Sequence, residues 1–405
     1  MKSIPELERD VPFAEAPDGA QALLATISSF WPGAEVSFGG DSRGADAAFH
    51  FMPNASRPRL LIPGDRRGAA LAMQRFSAAL SPKEMLGRCA AAALLRTAGP
   101  AAVARETIVV RGGQDSLQQH IAGLLGERVT MAVTIGNVRV NRKPVLQIFD
   151  AQGRTLAFAK VGDSVVAASD VRGEAARLAE IEGRLERFEI PRVLSLTQWQ
   201  GMVVMLITAV RTVPQDPRRF WRIPLAAMDD FSLQLGHSTA PLAEVPSWQR
   251  LRAAQDDFAG TRLPELMEQV EQAAAAAPEL VVGSWHGDWT GWNMAVRDDV
   301  VQLWDFERFE SGVVQGMDAF HYAVNAATLR EGITLSAFQG GFDHALVSLG
   351  DGLRQRLVAA AYLVTAASRY ITAAAGDQGH LIAGRADTIV EALSWWLPRI
   401  HSARR

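Results

Sequence analysis

Between residues 284 and 307 two polar clusters flank a short hairpin, and this limits the fold more than any other stretch of the 405-residue chain. The first cluster runs Ser284-Trp285-His286-Gly287-Asp288-Trp289-Thr290-Gly291-Trp292-Asn293. Apolar runs from Met294 to Val296 and from Val300 to Trp304 then read as two strands joined at Arg297-Asp298-Asp299, and Asp305-Phe306-Glu307 follows. A hairpin reverses the chain, so Asp305 returns to the volume that Asp288 and Asn293 face. Two carboxylates and an amide oxygen gathered there are hard oxygen donors, suited to a divalent cation and to orienting a hydroxyl.

The pattern H-G-D-x-x-x-x-N followed by D-F-E resembles the aminoglycoside phosphotransferase and choline kinase family, relatives of the protein kinases. The resemblance implies an α+β, bilobal protein-kinase-like fold: an antiparallel-sheet N-lobe with one main helix, then a helical C-lobe. It implies ATP as phosphoryl donor, Mg2+ as the metal and a small-molecule hydroxyl as acceptor. By the same resemblance Asp288 is the catalytic base or hydroxyl-positioning residue, His286 braces its loop, and Asn293 with Asp305 holds magnesium. Gly287 stands where protein kinases commonly carry an arginine that pairs with an activation-loop phosphate, and Glu307 replaces the glycine of D-F-G. Both differences point to a small-molecule kinase that needs no phosphorylation to switch on. Glu307 and Asp318 are candidate supporting residues; Asp318 reads either as a stabiliser of the catalytic region or as an ordinary acid at a helix start.

A nucleotide kinase also needs a cation reaching the phosphates from a strand. Lysine occurs only at Lys2, Lys83, Lys143 and Lys160. Lys160 lies in Leu156-Ala157-Phe158-Ala159-Lys160-Val161, the third strand counted from Arg128. On the helix expected from Asp170 to about Phe188, Leu178, Ile181, Leu185 and Phe188 form an apolar stripe that Glu174 continues. Glu174 is therefore the candidate partner of Lys160, with Glu182 as its rival. The phosphate-covering turn, about Ile135 to Lys143, has Gly136 but no G-x-G-x-x-G, leaving Arg139, Arg142 or Lys143 as possible charges. The adenine hinge is expected near Leu206 to Ala209, with Leu206 and Thr208 as nucleotide contacts.

Three segments are expected: an N-terminal α/β accessory cap at 1–105, a nucleotide-binding N-lobe at 106–209 and a helical C-lobe at 210–405 carrying the catalytic loop and acceptor site. The cap should hold strands at Asp46 to Pro53 and Pro58 to Pro63 and helices at Gly68 to Leu80 and Pro82 to Ala98. A helix capped by Asp115 and three helices between Met317 and His401 are expected further on. A formal net charge of -3 gives no electrostatic footprint for nucleic acid or anionic membrane. The single Cys89 fits a reducing compartment and reads as a buried thiol. The N-terminus lacks a secretory apolar region, and the most apolar long run, Met85 to Ala104, is broken by Arg88, Arg96, Gly99 and Pro100, so a cytoplasmic protein without a membrane span is expected.

Trp289 and Trp292, in the loop after Asp288, are candidate acceptor-binding faces, weighed against core packing. Acids after Asp305 are interspersed with arginines, which favours a sugar or amino sugar over a polycation. Amino-alcohol or aminoglycoside kinases, another nucleotidyl or phosphoryl transfer on the same fold, and an inactive kinase-like binding protein are the alternatives.

Overall fold

A computed structural model of the chain describes residues 19–39, 41–56, 58–134, 143–216, 218, 222–275, 277–376 and 382–402. The chain divides into two compact units. One holds residues 189–215 and the described residues up to Ala179, and the other holds Glu180–Phe188 with 216–402.

The first unit is built on a nine-stranded sheet. Its strands run, edge to edge, Glu35–Phe38, Thr107–Arg111, Ala47–Met52, Leu60–Pro63, Thr130–Thr134, Val145–Phe149, Thr155–Gly162, Met202–Thr208 and Val193–Trp199. Every pairing is antiparallel. The boundary expected near residue 105 falls inside this sheet. Leu60 and Leu61 pair with Thr134 and Val133, so the strands expected in a cap and those expected in the N-lobe form one hydrogen-bonded surface. They also share one apolar core, in which Phe49, Phe51 and Leu61 pack with Ile148, Val161 and Leu206.

Local chemistry sets the element ends. Asp65 accepts the Gly68 amide hydrogen at 2.6 Å and caps a helix of only Arg66–Ala72, shorter than the expected Gly68 to Leu80. Helix Pro82–Ala98 matches expectation, started by a reciprocal Ser81–Glu84 capping box. Its Cys89 is exposed rather than buried. Helix Leu117–Leu125 is capped by Ser116, not Asp115; Asp115 takes a left-handed φ of 55° in the preceding turn. The main helix is Val165–Ile181, not Asp170 to Phe188. Ser164 Oγ accepts the Ala167 amide hydrogen at 3.2 Å and starts it early, while Gly183 at φ 71° follows its end.

The second unit is mostly helical. Its core joins Trp248, Leu266, Met267, Phe320, Phe342, Leu363 and Trp396. Among the described residues four helices, not three, follow residue 316: Met317–Glu331, Leu335–Leu349, Leu353–Ala374 and Ala383–Ser402. The first two junctions carry Gly332 and Gly350 at φ 74° and 89°, a left-handed backbone that glycine takes without steric cost. Leu353–Ala374, rather than the run near Met85, is the helix long and apolar enough to cross a membrane among the described residues, with mean hydropathy 1.3. Burial inside the unit covers 67% of that apolar window, so packing accounts for it.

Candidate active site

The expected hairpin forms in the second unit. Strands Met294–Arg297 and Val300–Leu303 pair antiparallel with Arg297 opposite Val300. Asp298 and Asp299 make a two-residue turn, both at positive φ (50° and 63°), the backbone whose twist matches a tight hairpin. At the open end the Trp304 amide donates to the Asn293 carbonyl at 3.2 Å. Asp305 is thereby brought beside Asn293, as the spacing requires. Asp305 has φ 70°, an uncommon conformation for a residue other than glycine.

Two contacts fix the Asp288 carboxylate. Oδ2 accepts from Asn293 Nδ2 at 2.9 Å, and Oδ1 lies 3.0 Å from His321 Nε2. Asn293 Nδ2 also reaches the Asp288 carbonyl oxygen at 3.0 Å, so its amide nitrogen is committed and its carbonyl oxygen is the atom left for a ligand. Burial alone would raise the Asp288 pKa. The His321 hydrogen bond, helped by the nearby Arg308 charge, outweighs it and holds the group at about 2. Asp288 is therefore an ionised acceptor, and 22% of its side chain stays exposed, enough to meet a small molecule.

The loop behind Asp288 is held from several sides. Burial pushes His286 down to about 4 against the pull of Asp288 and Asp305, so its ring is neutral. Its Nδ1 accepts the Asp288 amide hydrogen at 3.3 Å, and Nε2 donates to the Trp304 carbonyl at 3.1 Å. His286 thus ties the loop to the far end of the hairpin. Asp318, on helix Met317–Glu331, accepts the amide hydrogens of His286 at 2.8 Å and Gly287 at 3.1 Å. Of the two readings of Asp318, the geometry selects a residue that binds the loop backbone. Gly287 has φ 76°, and a Cβ there would overlap the Arg308 carbonyl oxygen. Glycine is required here by backbone shape and a close approach, a more direct reason than the arginine it lacks.

Trp289 is fully buried among Phe188, Phe231 and His286. It is core and cannot offer a face to an acceptor. Trp292 is half-buried. Glu307 lies in the single 3-10 turn Phe306–Arg308 that follows Asp305.

In the first unit Lys160 Nζ donates to both carboxylate oxygens of Glu174, at 2.7 and 2.6 Å, with both side chains buried. Glu174, not Glu182, is the partner. Lys143 sits 2.8 Å from Asp170, while Ile135 to Arg142, with Gly136, Arg139 and Arg142, lie outside the described residues. Leu206 and Thr208 pair with Ala159 and Ala157 on strand Met202–Thr208, next to the strand bearing Lys160. Arg75, which the sequence did not single out, donates to Thr134 Oγ1 at 2.7 Å and stacks 5.0 Å from the Phe158 ring centre. Phe158 and Lys160, two residues apart on one strand, share a sheet face.

Sequence reading also missed His321, Arg308, Arg369 and Arg385. His321 lies one turn after Asp318, and i, i+3 spacing was the available signal for a shared face. Arg369 comes from helix Leu353–Ala374. It donates to the Gly287 carbonyl at 3.2 Å and stacks 4.6 Å from the Trp285 ring centre. A pocket has His321, the hydrogen-bond partner of Asp288, and Arg308 in its wall.

No protein-family model matches the sequence, and no curated protein matches it. Several solved structures are similar to it. An aminoglycoside phosphotransferase in ternary complex with ADP and hygromycin B aligns at TM-score 0.41 and 12% identity, over 68% of this chain and 98% of that one. A putative fructosamine-3-kinase from Haemophilus somnus aligns at 0.39 and 14%, over 68% and 96%. A glucosamine kinase in complex with glucosamine, ADP and inorganic phosphate aligns at 0.31 and 14%, over 68% and 98%. What the site can do follows from its own side chains.

Proposed function

We propose that the chain is an ATP- and magnesium-dependent phosphotransferase that moves the γ-phosphoryl group onto a hydroxyl of a small molecule of the sugar class. The observation that carries this reading is Asp288: an ionised, partly exposed carboxylate, held at both oxygens, whose partner His321 lines a neighbouring pocket. Asp288 would accept the hydroxyl proton as the acceptor oxygen bonds to the γ-phosphorus and the bond from that phosphorus to its bridging oxygen breaks, releasing ADP.

The donor set fits magnesium. Asn293 retains a carbonyl oxygen, and that amide oxygen and the Asp305 carboxylate are hard oxygen ligands of the kind this ion takes. When bound, magnesium supplies charge neutralisation at the phosphates. His286, Asp318 and Arg369 are positioning residues that fix the loop carrying Asp288. In the other unit Lys160, oriented by Glu174, would pair with phosphate oxygens, and Leu206 and Thr208 would contact the base. Residues 106–209 would thus supply the nucleotide-binding part and 210–405 the catalytic loop and acceptor site.

The test is metal-dependent ATP binding together with ADP release across a panel of small hydroxyl compounds. Acceptor-stimulated release that needs magnesium supports the reading. Failure to bind ATP with magnesium, with no release from any acceptor, would remove it.

A further inference from the structure

The pocket that His321 lines has an unbalanced wall. Arg308, Arg369 and Arg385 line it together with His321, and no aspartate or glutamate among the described residues does. Arg385 donates to the Tyr370 hydroxyl at 3.0 Å. Arg369 is partly balanced from behind by Glu310 at 3.6 Å and by the Trp285 ring. Burial works against the Arg308 charge, but Asp288, Tyr370, Glu307 and Asp305 outweigh it and raise its pKa; the guanidinium itself makes no hydrogen bond or close ion pair among the described residues. Burial and the charge of Arg308 together pull Arg369 down to about 10, the mark of two like charges held near each other in a poorly solvated site. Guanidinium groups converging in a wall that has no acid of its own repel one another, and an incoming anion relieves that repulsion.

Arginine's planar fork matches carboxylate and phosphate oxygens. We infer that the acceptor is an anionic hydroxyl compound, a sugar acid or sugar phosphate, whose anionic group is held by Arg308 and Arg385 while a hydroxyl faces Asp288. This inference rests on the phosphotransferase reading. It also replaces the expected neutral or amino sugar: an ammonium placed here would meet three guanidinium groups and no pocket-lining acid. The Tyr362 hydroxyl, the hydrogen of the Tyr370 hydroxyl and the carbonyl oxygen of Asn325 can meet the sugar hydroxyls.

The experiment compares glucose, glucosamine, glucuronate and glucose 6-phosphate as acceptors for the full chain with ATP and magnesium, reading ADP release. Each compound's binding is measured in parallel by calorimetry, with and without ATP. One of the two anions should exceed glucose in kcat/KM by at least about tenfold, the effect of one charge-assisted hydrogen bond, and glucosamine should be poorest. Which anion wins distinguishes carboxylate from phosphate. Arg385→Gln, and independently Arg308→Gln, should reduce the anion-to-glucose ratio about tenfold in variants whose melting is near that of the parent. Preference for glucose or glucosamine overturns the inference, as does anion binding that ATP displaces, since the arginines would then be a nucleotide phosphate site. Anion binding that depends on Arg385 but yields no ADP from any acceptor would overturn the phosphotransferase reading and leave the anion pocket standing.

Discussion

Asp288 Oδ1 and His321 Nε2 stand 3.0 Å apart, and the charge state of each follows from the other. Asp288, held at about 2, can only accept. Nε2 must therefore carry the hydrogen, although Asn325 Nδ2 also lies 3.1 Å from it; that amide instead donates to the His321 carbonyl at 2.8 Å. Burial lowers the His321 pKa more than its bond to Asp288 raises it, so His321 is a neutral donor.

Removing that donor is the first prediction. His321→Ala should lower kcat by roughly 10- to 100-fold, within the span typical of losing one oriented partner of a general base. With the hydrogen bond gone the Asp288 pKa rises, so the acid limb of the pH–kcat profile should move to higher pH. His321→Asn, which keeps an N–H, should recover part of the loss. An unchanged acid limb in His321→Ala would show that His321 does not act through Asp288.

Lys160 and Glu174 form a buried pair closed by two short hydrogen bonds. Breaking one side takes the principal partner from a buried charge, at about 3–5 kcal/mol for a buried pair. Lys160→Met and Glu174→Gln should each lower stability and nucleotide affinity, Glu174→Gln by less in affinity. The double variant should fall short of the sum by more than about 1 kcal/mol. Full additivity in chemical denaturation would mean that the two do not act as a unit.

Asp318 gives the loop a pH signature. Burial pushes its pKa up to about 7, overriding the two backbone hydrogen bonds and the Arg369 charge that favour ionisation. A free aspartate ionises near 4, so between about pH 4 and 7 the folded chain holds a proton that the unfolded chain has lost. The stability this proton contributes is present in full below about 4 and is lost as the pH rises through about 7, on the order of 1–4 kcal/mol. Melting temperature should therefore decline from pH 5 to 8 by a component that Asp318→Asn lacks. Parallel melting curves for parent and variant over that range would contradict this.

The loop from His286 to Asn293 and its hairpin were legible because each step is local. A two-residue turn returns the chain, and the polar residues on either side of it then meet. The Lys160–Glu174 pair was legible through helical periodicity, although the helix begins five residues earlier than expected, because Ser164 is a better start signal than Asp170. Cys89 was misjudged, whereas of the two readings of Trp289 the core one holds. Composition near Cys89 suggests burial, yet the helix turns that face outward; Trp289 stands in a polar loop, yet it fills the space between Phe188 and Phe231. The charge of the pocket was beyond sequence reasoning. Arg308, Arg369 and Arg385 lie up to 77 residues apart along the chain, and only the packing of three separate elements brings them to one wall. The continuous sheet across residue 105 depends likewise on the pairing of Leu60–Pro63 with Thr130–Thr134, for which neither strand carries a local sign.

The most direct test of the central claim is single-turnover transfer of a labelled γ-phosphoryl group from ATP to the best acceptor, comparing the parent with Asp288→Asn. The variant keeps the size of the side chain but removes the charge that takes the proton. Folding and nucleotide binding should be preserved while transfer slows by about 10²–10⁴-fold, the range general-base catalysis supplies. Transfer at close to the parent rate would contradict the role assigned to Asp288 and with it the proposed mechanism.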